Sequence, residues 1–461
     1  MKKFLIADLT RIIKATLEYD TSHEPRVISH CFNGVSIDSR TTQPGNCFFA
    51  IPGENFDGHD YVVDAFAKGA VCAVVSKKVA TAQHADKVLM VEDTIKALGD
   101  FARHYRRQAN FKVVAITGSV GKTTTRQITY HVLSQHHRCC QAPKNFNNYI
   151  GLPLTLLGAE PEHQIVIAEL GSSHPGEIAY LTQIAQPDIA VITNVHPAHL
   201  AGFGSLQAII QEKLSISEGL QRDGILIINA DIMLPPSEPT HQVITFGKSE
   251  RCDIKAENIE LADSASRFTI DRIPVYLPLP GKGNLENALA AWAICKQFSF
   301  TADDFADAVK TVPAVPMRSE LLQIGTLTVL NDCYNANPAS MKNALDIFTG
   351  LDSTGNRRLV FICGSMAELG RQSKKLHAEL GISIARAKVR LLLAVGEFAK
   401  AVVDAAKANA KYDLQTECFE DAISACNNLQ KFIKNYDIIL VKGSRTAKLE
   451  LAVEKLKQLF S

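Results

Sequence analysis

Val113-Val114-Ala115-Ile116-Thr117-Gly118-Ser119-Val120-Gly121-Lys122-Thr123-Thr124 is the stretch whose reading decides the fold. Lys112–Thr117 has the apolar run of a buried strand, the glycines mark a turn, and a helix is predicted from about Lys122. Glycines let backbone amides approach phosphate oxygens closely, and a helix N-terminus adds partial positive charge. In that geometry Lys122 reaches the β and γ phosphates and the Thr123 hydroxyl ligates Mg²⁺. The contacts expected are Gly118, Ser119, Val120, Gly121, Lys122, Thr123 and Thr124. The general pattern asks for a glycine where Ile116 stands. A chance Gly-Lys-Thr turn is the competing reading, and the strand–loop–helix context weighs against it.

Outward from the loop, apolar strands are predicted at Ile165–Leu170, Ile189–Thr193 and Ile225–Asn229, each after a helical stretch. That alternation predicts a doubly wound, mostly parallel sheet over residues 111–313. Asp253–Leu279 breaks the rhythm and reads as antiparallel strands at the sheet's edge. Before it, residues 1–110 read as a smaller α/β unit, with apolar runs at Cys47–Ile51, Val71–Ser76 and Val88–Val91. After Pro313 and Pro316, which mark a linker, residues 314–461 alternate again in a Rossmann-like rhythm. Strands are expected there at Leu327–Leu330, Leu359–Cys363, Leu391–Val395 and Ile438–Val441, with a final helix over Arg445–Phe460. The fold class expected is α/β in three domains.

Bulk properties narrow the function. A chain of 461 residues accommodates about three domains. The net charge of +1 is well mixed, so no basic face speaks for nucleic acid. The 11 cysteines are irregularly spaced with no C-x-x-C pair, which reads as reduced thiols. Phe4–Ala7 is too short for a signal peptide, and no run reaches membrane-helix length. A cytoplasmic monomer without membrane insertion is the expectation.

Three groups downstream of the loop stand out. Glu169 ends its strand, where ligands bind in open α/β sheets, so it is placed to hold Mg²⁺ or is simply a solvated strand end. His196 and His199 follow the next strand and either ligate a metal, position a phosphate or do neither. Lys213 falls within the apolar stripe of the predicted helix Ser205–Leu220, beside Leu206, Ile209, Ile210 and Leu220. Either its stem snorkels with the amine in water, or the amine is held near the site, where reaction with CO₂ would turn it into a metal-binding carbamate.

Several segments then carry a resemblance. They are the loop Thr117–Thr125, Ser36-Ile37-Asp38-Ser39-Arg40, Phe56-Asp57-Gly58-His59, Asn147–Gly151, Pro197-Ala198-His199-Leu200 with Gly202–Ser205, Tyr334-Asn335-Ala336-Asn337-Pro338 and Met366-Ala367-Glu368-Leu369-Gly370. Over essentially the whole chain the sequence resembles the Mur ligases, which add amino acids to peptidoglycan precursors. It is most similar to members that join D-alanyl-D-alanine to UDP-N-acetylmuramoyl-tripeptide using ATP and Mg²⁺. The resemblance makes Ile116 a family trait. It implies that Ser39, Arg40, Asp57, Gly58 and His59 contact the UDP end, and that Asn147 and Asn148 also meet substrate. It implies that Glu169, His199 and a carbamylated Lys213 join Thr123 at the metals, with Lys122, Glu169, His199 and Lys213 catalytic. Asn287 would face adenine, Arg318 and Asp332 the phosphates and ribose, and Asn335 and Asn337 the incoming dipeptide. The family usually has His at Gly283 and Asp at Ser365. A folylpolyglutamate synthase-like ligase is opposed by Tyr334–Pro338 and Met366–Gly370. A regulatory module without catalysis is opposed by the joint presence of Lys122, Thr123, Glu169, His199 and Lys213.

Overall fold

The computed structural model describes every residue except 18–29, 81–83, 144, 233–240, 263, 353–354 and 461. Its centre is a seven-stranded sheet in which every pairing is parallel. The order is Ile254–Lys255, Gln242–Gly247, Ile225–Asn229, Ile189–Ile192, Lys112–Thr117, Ile165–Glu169, Cys139–Gln141. Parallel strands covered by helices on both faces must be apolar on both. Accordingly Val113 and Ala115 point into one core while Val114 and Ile116 point into another. From Lys112–Thr117 the chain passes to one side of the sheet and then returns to the other. The crevice at such a reversal, beyond the strands' carboxyl ends, is where the phosphate loop sits.

The segment expected as antiparallel strands on the main sheet's edge is different. Ile254–Lys255 joins that sheet in parallel, and Glu257–Leu261, Ser266–Ile270 and Ile273–Leu277 form a separate antiparallel sheet. Its inner side chains Phe268, Ile270, Val275 and Leu277 bury against the helix Lys282–Lys296. That helix is packed from several sides, which explains its apolar surface all round.

The N-terminal region holds a five-stranded sheet, with Gly34–Ser36, Asn46–Phe49, Cys72–Val75 and Val88–Met90 parallel and Thr16–Leu17 antiparallel. The C-terminal region holds a six-stranded mixed sheet, in which Glu320–Ile324 is the antiparallel edge. Edge strands Glu320–Ile324 and Gln415–Phe419, and the outer strand Gln242–Gly247, escape the sequence reading because most of their residues are only half-buried or exposed and polar residues interrupt their apolar pattern. Two predicted helices are shorter than expected. Arg445–Ala447 is a 3₁₀ turn, and the α-helix begins at Glu450. Leu206–Leu214 passes into a 3₁₀ turn over Ser215–Gly219, and Leu206 is 44% exposed, so it does not belong to the buried stripe. Among the described residues no helix is long and apolar enough to cross a membrane.

Candidate active site

The loop after Lys112–Thr117 opens the helix Lys122–Leu133 as read. Gly118 (φ 148°) and Gly121 (φ 88°) hold backbone that side chains rarely adopt, and a Cβ there would strike Thr193 and Asn287. Ile116 still belongs to the strand, paired with Glu169 and fully buried, so a glycine at that position would serve no turn here. The loop is gripped from the next strand's end. Asn194 accepts from Val120 N at 2.9 Å, donates to Val120 O at 3.0 Å and accepts Ser119 N on its own carbonyl at 3.0 Å. Thr193 donates to Val120 O at 2.6 Å. Lys122 Nζ donates to Gly118 O at 2.7 Å. Burial lowers its pKa, with Glu169 opposing and Arg318 adding to the shift.

Glu169 is 2% exposed, so it is not a solvated strand end. It accepts Thr123 Oγ1 at 3.0 Å and Asn147 Nδ2 at 2.9 Å, with the Arg126 guanidinium 3.6 Å away. Lys213 is 3% exposed and donates to Ser172 Oγ at 2.7 Å, which rules out a snorkelling amine. Burial pulls its pKa down to about 7, and Lys122 adds to the shift. At neutral pH a substantial share of this amine is therefore neutral, the form that reacts with CO₂. His199, held at φ 52°, meets Glu368 of the C-terminal region through Nδ1, and Ser173 Oγ lies 3.4 Å away. The imidazole holds the Glu368 carboxyl below its usual range.

These groups border a cavity of about 1080 Å³ between the central and C-terminal sheets. Ser119–Lys122, Thr124, Asn147, Asn148, Glu169, His199 and Asn287 line one wall; Arg318, Asp332, Asn335 and Asn337 line the other. Thr123 and Lys213 lie just beneath the lining, reaching it through Glu169 and Ser172. On the far wall, Arg318 stacks 4.0 Å over the Tyr334 ring. Asp332 takes Lys442 Nζ at 2.5 Å and Ser319 N at 2.9 Å. Asn148 and Asn337 spend their side-chain oxygens on capping, from Gly151 N at 2.9 Å and Ser340 N at 2.9 Å.

The expected UDP contacts lie apart from this cavity, on the N-terminal sheet. Arg40 pairs with Asp38 at 2.7 Å beside buried Ser39. His59 accepts Ser76 N at 2.9 Å on Nε2, so its Nδ1–H donates to Asp57 at 2.5 Å, and Gly58 packs against Ile51. Lys77 and the His59 amide hold the Asp57 carboxyl well below its usual range. Of the two departures from the family pattern, Gly283 lines the cavity, whereas Ser365 does not and instead faces Val395 O at 3.4 Å. Asn194, Arg126, Lys442 and Asn343 were missed. Only the strand-end position of Asn194 signalled a role; the others depend on partners far away in sequence.

Comparison with known proteins agrees with this geometry. Three family models match: the Mur ligase family catalytic domain at residues 32–106, the Mur ligase middle domain at 116–295 and the Mur ligase glutamate ligase domain at 317–445. The chain is 33% identical to the UDP-N-acetylmuramoyl-tripeptide–D-alanyl-D-alanine ligase of Bacillus subtilis (strain 168), covering 99% of each chain. A crystal structure of MurF from Acinetobacter baumannii superposes with a TM-score of 0.88 at 29% identity over 99% of both chains. The MurF ligase of Thermotoga maritima in complex with ADP gives 0.79 at 25% identity, over 92% of this chain and 97% of that one. With all three domain models in order and a relative matched along its full length, the chain belongs to the Mur ligase family.

Proposed function

We propose that this chain joins UDP-N-acetylmuramoyl-tripeptide to D-alanyl-D-alanine, converting ATP to ADP and phosphate through an acyl phosphate. The observation that carries it is the cavity itself. A phosphate loop and a buried carboxylate face Arg318, Asp332 and Asn335 across a single space. The full-length relative that acts on these substrates, and the structural neighbour that binds ADP, support the reading.

Joining a carboxylate to an amine is uphill in water, so the carboxylate must first become an acyl phosphate, a mixed anhydride whose phosphate can leave. Its oxygen attacks the γ-phosphorus and ADP departs. Both reactants are anionic, and Lys122 with the loop amides offsets that repulsion and takes up charge in transfer. Arg318 approaches the same phosphates from the other wall, and Asn287 meets the adenine. The amine of D-alanyl-D-alanine, held by Asn335 and Asn337, then attacks the acyl carbon. A tetrahedral intermediate loses phosphate and the nitrogen loses its proton. Closure of the last domain keeps water from the acyl phosphate, with the coil around Pro313–Pro316 as the hinge.

The donor set fits Mg²⁺. Thr123 and Glu169 offer hard oxygens side by side, and Mg²⁺ takes few protein ligands and fills its shell with water and phosphate oxygens. His199 and a carbamate on Lys213 would complete the protein's share. The bound ion would draw charge from the phosphates. We assign residues 1–110 to the UDP end through Ser39, Arg40 and Asp57–His59, 111–313 to ATP, with Asn147 and Asn148 on the tripeptide, and 314–461 to the dipeptide. The compartment proposed is the cytoplasm.

The test is phosphate release from ATP with each substrate withheld in turn. Release should need both the UDP-tripeptide and D-alanyl-D-alanine; full release without either one refutes the reading.

A further inference from the structure

We propose that Asn343, in the last domain, is a positioning residue for the nucleotide: it caps the middle domain's adenine-side helix across the interface. The inference rests on the ATP reading above. The helix Lys282–Lys296 begins at Gly281 with no side-chain cap of its own. First-turn amides of a helix need partners from elsewhere. Here Gly283 N donates to Asn343 Oδ1 at 3.2 Å, and Asn343 belongs to the helix Pro338–Gly350 of the last domain. One turn further along that helix, Ile347 lies so close to Gly281 that any side chain there would collide with it. The two helices therefore dock through an amide and an isoleucine set on two glycines.

The capped helix leads to the phosphate loop. One turn beyond Gly283, Asn287 accepts Thr125 Oγ1 at 3.3 Å and packs against Gly121. Gly283, Asn287 and Asn343 all border the cavity. Seating the last domain thus fixes the first turn of the helix that carries Asn287. Gly283 is what permits it. A Cβ at that position would lie 3.0 Å from Asn343 Oδ1, tighter than side chains normally pack. A side chain at 283 therefore requires the Asn343 amide to shift by a few tenths of an ångström, away from its place over the Gly283 N–H.

The experiment is steady-state kinetics with all three substrates on Asn343→Ala, Asn343→Asp, Gly283→His and the double variant Gly283→His/Asn343→Gly. Hydrogen exchange of the unliganded proteins over 282–286 runs alongside. Loss of a cap predicts a KM for ATP raised about fivefold to tenfold in Asn343→Ala. The KM for D-alanyl-D-alanine should stay within about twofold, and Gly283 should exchange faster. Asn343→Asp, which keeps the acceptor, should stay near wild type. Gly283→His should match or exceed the alanine effect, and the double variant should recover most of it. Unchanged KM for ATP in Asn343→Ala, or a double variant no better than Gly283→His, overturns the inference. If the wild type itself fails to saturate with ATP, the nucleotide reading falls instead, and unchanged exchange at Gly283 in Asn343→Ala would then overturn the cap independently.

Discussion

The first and middle domains are joined as one solid, whereas the middle and last meet across a polar cavity open to solvent. At the first junction a single apolar core runs from Phe4, Phe32, Leu89 and Phe101 through to Val113, Leu152 and Ile184. The helix Thr94–Gln108 is shared between them. Tyr105 donates to Ala159 O at 2.7 Å, and buried Arg106 bonds Phe111 O, Ala185 O and Gln186 O and pairs with Asp188 at 2.8 Å. At the second junction the space is the polar cavity, and contacts cluster at its two sides. On one side are Asn343 with Gly283 and Ile347 with Gly281. On the other, Glu368 meets His199 and accepts Ala201 N at 3.0 Å, and Leu376 packs on Leu200, Phe203 and Ile209. A core of that size does not open during turnover, whereas a few local contacts do. Movement is therefore expected where substrates must enter and water must then be excluded.

The contrast can be broken by asking whether damage at each junction falls on rate or on stability. Lys122→Ala, at the wet junction, should cut turnover about a thousandfold or more while leaving the melting temperature nearly unchanged. Turnover within tenfold of wild type would remove the phosphate loop from the chemistry. Arg106→Met, at the solid junction, strands the carbonyls of Phe111 and Ala185 and leaves Asp188 only Lys112 and the Val113 amide. It should destabilise by about 1–3 kcal/mol in urea unfolding, with kcat of the folded enzyme preserved. A kcat loss without a stability loss would show that the first junction also moves.

Lys213 sharpens the comparison because it sits near the wet junction yet is buried like a core residue. Its amine has a pKa near 7 in the fold against an ordinary 10.5, so between those values the unfolded chain binds the extra proton. Stability should rise with pH across that window, by at most about 1.4 kcal/mol per unit from this group. In CO₂-free buffer Lys213→Met should lose that slope and be the more stable protein at pH 7. An identical slope in both proteins would mean the amine titrates normally. Lys213→Ala should be inactive, unresponsive to bicarbonate and partly restored by a short-chain acid; full activity would end the carbamate proposal. The smallest effect is expected for Glu368→Gln, which weakens one clasp. Solution scattering should show a slightly wider ensemble with nucleotide bound, and kcat should fall about threefold. No change in either would confine closure to the Asn343 side.

Much of the central sheet was legible because buried parallel strands are apolar on both faces, as at Val113–Ile116 and Ile165–Ala168. Gln242–Gly247 and Gln415–Phe419 were not, since strands only half covered at the margin of a sheet lose that pattern. In the site, Glu169 and His199 could be placed because each follows a strand that ends at the same edge. Lys442, bonded to Asp332 and to Asn335 O at 3.0 Å, gave no signal. An isolated lysine at a strand's end looks the same whether its amine meets water or three oxygens.

What the sequence determined by itself was the glycine loop opening the helix at Lys122, the parallel sheet beneath it and the sheet edge the loop shares with Glu169 and His199. All three follow from local spacing and from which faces must be apolar. Tertiary structure alone decided that the Lys213 amine is buried, that Asn194 grips the loop, and that Asn343 of the last domain meets Gly283. Those outcomes depend on contacts between residues 41, 74 and 60 positions apart, whose distances are set by how whole sheets and helices pack and not by any local pattern.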